Sequence, residues 1–133
     1  MARHRALGLS DEEVLQLYAQ MVLVRVLDER LWAMNRQGKV PLVASAQGHE
    51  GAQMGSAWAA IRDGDCFFFP YYRSVALKML AGITPFQTIC SFLGKAGDPF
   101  SGGRQFPMQG ASLKHKMIVL WHRLKLKYLS LLL

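Results

Sequence analysis

Tyr71-Tyr72-Arg73 sets a guanidinium, a planar fork of five N–H donors, beside two phenol hydroxyls. That combination suits the oxygens of a phosphate or a carboxylate. Ahead of it runs Cys66-Phe67-Phe68-Phe69, four apolar residues that read as a short buried strand; Pro70 then withholds the next ladder donor. In open α/β sheets ligands sit where strands end, so Tyr72 and Arg73 are candidates for an anion site. The same residues also fit a core strand followed by a solvated arginine at a helix start. From this stretch alone both readings stand.

Two further clusters carry polar chemistry. His49-Glu50 pairs two metal-ligand types, but adjacent residues of a helix point about 100° apart and no third ligand is suitably spaced. No metal site is expected there. Gly94 to Pro107 holds four glycines and two prolines, which exclude helix and central strand. Arg104 after Gly102-Gly103 resembles an anion-approach loop, without the lysine and spacing of a P-loop. A loop this long is either functional or disordered.

The elements that must position these residues are helices. Ser10 with Glu13 three positions on forms a capping box, and Asp11 and Glu12 add negative charge to the first turn. Val14, Leu17, Tyr18, Met21, Leu27, Leu31 and Trp32 recur at helical spacing up to Gly38, predicting one helix over Asp11–Gln37 with these residues as its packed face. Arg25 is placed to pair with Glu29 at i,i+4. Lys39 to Ala46 reads as an edge or irregular strand limited by Pro41. Gln47-Gly48-His49-Glu50-Gly51 opens a second helix to about Ile61. Its Gly51, Gly55 and Ala59 make a smooth face that predicts close packing of another backbone. These glycines do not form the G-x-G-x-x-G of a dinucleotide site. A helix over Ser74–Ala81 ends at Gly82. Another begins at Thr84-Pro85-Phe86-Gln87, with cap, proline and capping-box glutamine in order, and Phe86, Ile89, Cys90, Phe92 and Leu93 on its buried side.

The chain of 133 residues suits one domain. Its net charge of +7 is uneven: residues 1–113 hold 11 Lys and Arg against 9 Asp and Glu, whereas Lys114, Lys116, Arg123, Lys125 and Lys127 have no acid among them. The basic character therefore belongs to a tail, and no nucleic-acid partner is expected for the domain. Cys66 and Cys90 sit in apolar runs, as reduced thiols of a cytoplasmic protein do. The basic start Met1-Ala2-Arg3-His4-Arg5 lacks the apolar run of a secretory signal, and no stretch reaches the roughly 18 apolar residues of a membrane span.

Three stretches together carry a resemblance. They are Leu27-Asp28-Glu29-Arg30-Leu31-Trp32 with Asn35-Arg36-Gln37-Gly38; Gln47-Gly48-His49-Glu50-Gly51; and Pro70-Tyr71-Tyr72-Arg73 with Lys95-Ala96-Gly97-Asp98 and Gly102-Gly103-Arg104-Gln105. In this order and spacing, over about Leu17 to Gln105, the chain resembles the α subunit of thiamine-diphosphate-dependent 2-oxoacid dehydrogenases, the branched-chain (2-oxoisovalerate) and acetoin-type members above all. The resemblance implies an α/β fold, the N-terminal part of a thiamine-diphosphate-binding fold, helix-rich with its first parallel strand and incomplete. It also implies that Tyr72 and Arg73 bind the diphosphate, with magnesium. It further implies oxidative decarboxylation of a 2-oxo acid with acyl transfer to a lipoyl protein, and as partners a β subunit and a lipoyl acyltransferase.

The sequence departs from that family in several places. Ser74 stands where an acidic residue is common, and Phe106 and Gln109 replace the family's Met and His. The Gly-Asp-Gly to Asn-Asn metal motif and the Ser/Thr/Gln segment after the glycine loop are absent from this sequence. The activating glutamate belongs to the β subunit in this family, so no residue here is assigned as catalytic and none as a metal ligand. The expected division is a partial cofactor domain over 1–113 and a basic Leu-rich tail over 114–133. From Met117 onward a reading-frame shift and early termination are expected, which would leave an inactive, self-associating fragment. The alternative is a short non-catalytic binding protein whose basic amphipathic tail attaches to a membrane surface or an acidic partner.

Overall fold

Five α-helices and one 3₁₀ turn make up the order in the computed structural model, which describes residues 3–64 and 66–118. A short α1 (Arg3–Ala6) is fastened to the start of the next helix, where Asp11 takes bonds from His4 and Arg5. Helix α2 (Asp11–Arg36) begins with the expected capping box. Ser10 Oγ accepts from Glu13 N at 3.1 Å, and Glu13 Oε2 accepts from Ser10 N at 2.8 Å. It stops at Gly38, whose φ of +70° lets Gly38 N reach Asn35 O and Lys39 N reach Met34 O.

Helices α3 (Glu50–Asp63) and α4 (Val75–Leu80) pack on α2, and α5 (Pro85–Phe92) closes the group behind a second complete capping box, Thr84 with Gln87. The core joins Val24, Leu27 and Leu31 of α2 to Val40, Val43 and Ala46 of the connection. Met54, Val75, Ala76, Met79, Ile83, Phe92, Met108 and Met117 complete it. Burying a side chain of this size is worth about 1.5–3 kcal/mol, so this cluster is what holds the helices at their mutual angles.

Several expectations are corrected. Cys66–Phe69 is not a buried strand: among the described residues there is no strand, only an isolated parallel bridge between Phe68 and Met117. Phe67 and Phe69 are 49% and 60% exposed. A strand needs a neighbour along its length, and here one bridged pair at Phe68 is followed two residues later by Pro70. On α2, Tyr18 and Trp32 lie outside the packed face, because Val24, Leu27 and Leu31 set the stripe that meets the core. Phe86 on α5 also points outward, at 69% exposure. Arg25 donates to Glu50, not Glu29, since the Glu50 carboxylate is nearly buried and lies within reach. Gly51, Gly55 and Ala59 are exposed, so no backbone packs on the smooth face among the described residues. Residues 119–133, which hold most of the basic Leu-rich segment, lie outside the described residues.

Candidate functional site

Tyr72 and Arg73 occupy the turn between Pro70 and α4. Ser74 N donates to Tyr71 O at 3.0 Å and Val75 N to Arg73 O at 2.8 Å. Ser74 makes no side-chain cap for α4. Gln53 of α3 does that work from outside: its Oε1 accepts from Ala76 N at 3.1 Å and Leu77 N at 3.4 Å, while its Nε2 donates to Arg73 O at 3.1 Å. A short helix with no cap of its own is thereby positioned by its neighbour.

The Arg73 side chain is held by a relay that begins on α2. Asp28, 5% exposed, accepts from Ala46 N at 2.9 Å and Ser45 Oγ at 2.8 Å. Ser45 O in turn accepts from Arg73 Nη1 at 3.1 Å. The guanidinium carbon lies 5.2 Å from the Tyr72 ring centroid, a cation–π contact. Tyr72 is further edged by Tyr71 at 5.3 Å and by Phe106 at 5.6 Å. Among the described residues the Tyr72 hydroxyl has no hydrogen-bond partner, and the guanidinium makes no ion pair and no bond beyond that to Ser45. Both side chains are half-buried. A fixed cation and a phenol with unused donors, held side by side, can bind an oxyanion.

The glycine-rich loop reaches this pair through Phe106. Asp98 organises the loop: its Oδ2 accepts from Ser101 N at 2.9 Å, Ser101 Oγ at 2.8 Å and Gly103 N at 3.1 Å. Burial pushes the Asp98 carboxyl upward, but the bonds from Ser101 and Gly103 outweigh it and hold the pKa below the ordinary value. A Cβ on Gly103 would land on the Gly94 carbonyl, so glycine is required there. Arg104 is turned onto its own loop, with Nε donating to Ser101 O at 2.9 Å. The structure therefore brings Phe106, not Arg104, to the candidate pair.

Among the described residues no group of three or more His, Cys, Asp and Glu could hold a metal. Glu50 is taken by Arg25 at 2.7 Å and by Gly48 N at 2.8 Å. Cys66 and Cys90 are free thiols, and no described helix is long and apolar enough to cross a membrane. A cleft of about 380 Å³ lined by Cys66, Phe68, Leu80 and His115 shares no lining residue with the Tyr72–Arg73 pair.

Sequence reasoning missed Lys78. It lies inside α4, is fully buried, and donates from Nζ to Tyr71 O and Met108 O, each at 2.6 Å. The signal was a single charge in the otherwise apolar run Val75-Ala76-Leu77-Lys78-Met79-Leu80. Gln53, Asp28 and Ser45 gave no signal, because their partners lie 17–28 residues away along the chain.

With this geometry in place, comparison with known proteins identifies the class. Residues 18–123 match the dehydrogenase E1 component family, and the chain belongs to that family. The match runs past Met117, where the sequence itself ceases to suggest the family. Over 116 residues the chain is 44% identical to the 2-oxoisovalerate dehydrogenase subunit alpha of Bacillus subtilis, covering 87% of this chain and 35% of that protein. It is 35% identical over 98 residues to the 3-methyl-2-oxobutanoate dehydrogenase subunit alpha of Mycobacterium tuberculosis, covering 74% of this chain and 25% of that one. It is 32% identical over 111 residues to the pyruvate dehydrogenase E1 component subunit alpha of Bacillus cereus, covering 84% and 28%. The chain thus spans about a quarter to a third of the curated relatives it matches. No solved structure matches it.

Proposed function

We propose that this chain is the N-terminal portion of a thiamine-diphosphate-dependent 2-oxoacid dehydrogenase α subunit, with Tyr72 and Arg73 as donors to the cofactor's diphosphate. The observation that carries this reading is the Arg73 guanidinium, fixed by Ser45 O and stacked on Tyr72 with donors to spare. Family membership supplies the class of reaction. Thiamine diphosphate, when bound, supplies the carbanion chemistry that decarboxylates a 2-oxo acid.

The residues of this chain bind and orient. Arg73 gives charge-assisted bonds to phosphate oxygens, the Tyr72 hydroxyl adds a second donor, and the Asp28–Ser45 relay keeps Arg73 from swinging into solvent. Magnesium would be held by groups other than the described ones. An α/β thiamine-binding fold, a β subunit, a lipoyl acyltransferase and the cytoplasm complete the reading. It assigns the half-site to residues 1–113 and gives the basic segment 114–133 no part in it.

The test is ³¹P NMR of thiamine diphosphate at millimolar concentration with the full chain. Line broadening that Arg73→Ala removes is expected. Equal broadening by wild type and variant would overturn the assignment.

A further inference from the structure

Lys78 makes no ion pair among the described residues, although it is among the largest fully buried side chains. Its two acceptors lie on either side of the candidate pair. Tyr71 O belongs to the residue just before Tyr72, and Met108 O lies two residues after Phe106, the ring that leans on Tyr72. Met108 adopts a φ of +58°, uncommon for a residue with a side chain. Its backbone is gripped at both ends, by Ser91 Oγ at N (2.7 Å) and by Lys78 at O. A neutral amine has two N–H donors, and these two carbonyls use both. Desolvation, which lowers the Lys78 pKa to about 7, agrees with that form.

We propose that Lys78 is a positioning residue of the diphosphate half-site, a buried strut that ties the backbone before Tyr72 to the backbone after Phe106 and so fixes the Tyr72 ring between Phe106 and Arg73. The inference rests on the Tyr72–Arg73 reading. A purely packing role for the lysine stem makes a different forecast, because methionine fills nearly the same volume without a donor.

The test is NMR of the full chain, wild type and Lys78→Met, with inorganic pyrophosphate as the probe. In the variant the Tyr72–Phe106 ring NOEs should disappear. The pyrophosphate-induced shift of the Arg73 Nε–H signal should fall at least about fivefold, while the distant Arg25 Nε–H signal stays unmoved. A folded Lys78→Met chain that keeps both the ring NOEs and the Arg73 response would overturn the proposal. A wild-type chain whose Arg73 ignores pyrophosphate would sink the diphosphate reading, and the ring NOEs would then judge the strut alone. If Lys78→Met does not fold, the wild-type protein decides: couplings across hydrogen bonds from Nζ to the Tyr71 and Met108 carbonyls are expected, and their absence overturns the strut.

Discussion

Arg25 Nε donates to Glu50 Oε1 at 2.7 Å, tying the middle of α2 to the first residue of α3. The arginine side chain is 46% exposed and the carboxylate only 7%. The Arg25 hydrogen bond holds the Glu50 carboxyl below its ordinary 4.5. Arg25→Met therefore removes the charged partner of a nearly buried anion, and a loss of stability in urea unfolding at neutral pH is expected. A carboxyl with a depressed folded pKa contributes stability above about 4.5 and loses it as pH falls through the folded value. The gap between variant and wild type should close on acidification. A gap that persists in acid would assign the loss to the arginine stem.

Lys78 predicts a slope of the same sign in a higher pH window. Its folded pKa of about 7 lies below the ordinary 10.5, so charging it costs the folded state and not the unfolded one. Below about 7 both states are charged and the cost is complete; above 10.5 both are neutral and it is gone. Stability should rise by a few kcal/mol at most as pH climbs through that window. Urea midpoints of Lys78→Met, compared with wild type across the same range, should lack this rise. Parallel curves for the two proteins would count against a buried, depressed lysine.

Asp98 gathers four donors from its own loop, Phe100 N, Ser101 N, Ser101 Oγ and Gly103 N, and Asp98→Ala removes the acceptor of each. Hydrogen exchange at Ser101 N and Gly103 N should accelerate at least about tenfold, equal to about 1.4 kcal/mol of local opening. Acid should do the same to wild type, because a depressed carboxyl loses its contribution as pH falls through its folded pKa. Unchanged protection at both amides would show that Gly94 and its neighbours, not Asp98, order the loop.

What was legible in the sequence was local. Ser10 with Glu13 and Thr84 with Gln87 announce helix starts because both members of each pair lie within one turn. The Tyr72–Arg73 pair was legible as donor chemistry. Its support was not, since Ser45, Gln53 and Phe106 reach it only through the fold. The strand at Cys66–Phe69 failed for a related reason. An apolar run states a preference for burial, while a strand also needs a partner, and Phe68 finds only Met117. Helical spacing on α2 likewise could not say which apolar stripe would meet the core, so Tyr18 and Trp32 were placed on the wrong side.

The exposed apolar surface predicts self-association. Leu15, Tyr18, Val22 and Val26 run along one side of α2 at 43–67% exposure, and Phe67 and Phe69 add a second patch. Contiguous exposed apolar patches of this kind mark interaction surfaces. Light scattering at micromolar concentration should give a mass above the 14.9 kDa of one chain, and Val22→Asp with Val26→Asp should lower it. A sharp monomer with cooperative melting would refute this.

The last prediction concerns the cofactor. Tyr72 and Arg73 can each add a charge-assisted bond worth roughly 1.5–3 kcal/mol net. Association first costs at least about 4 kcal/mol of translational and rotational freedom. A diphosphate also carries charge that a divalent ion normally neutralises, and no described cluster could hold one. Two donors on this scale leave affinity near millimolar or weaker, about −4 kcal/mol. Calorimetry should therefore give no saturable isotherm for thiamine diphosphate at micromolar concentrations, with or without magnesium. No 2-oxo acid should be measurably decarboxylated by this chain alone. A magnesium-dependent micromolar isotherm abolished by Arg73→Ala would refute the prediction, and would mean that residues outside the described part complete the site.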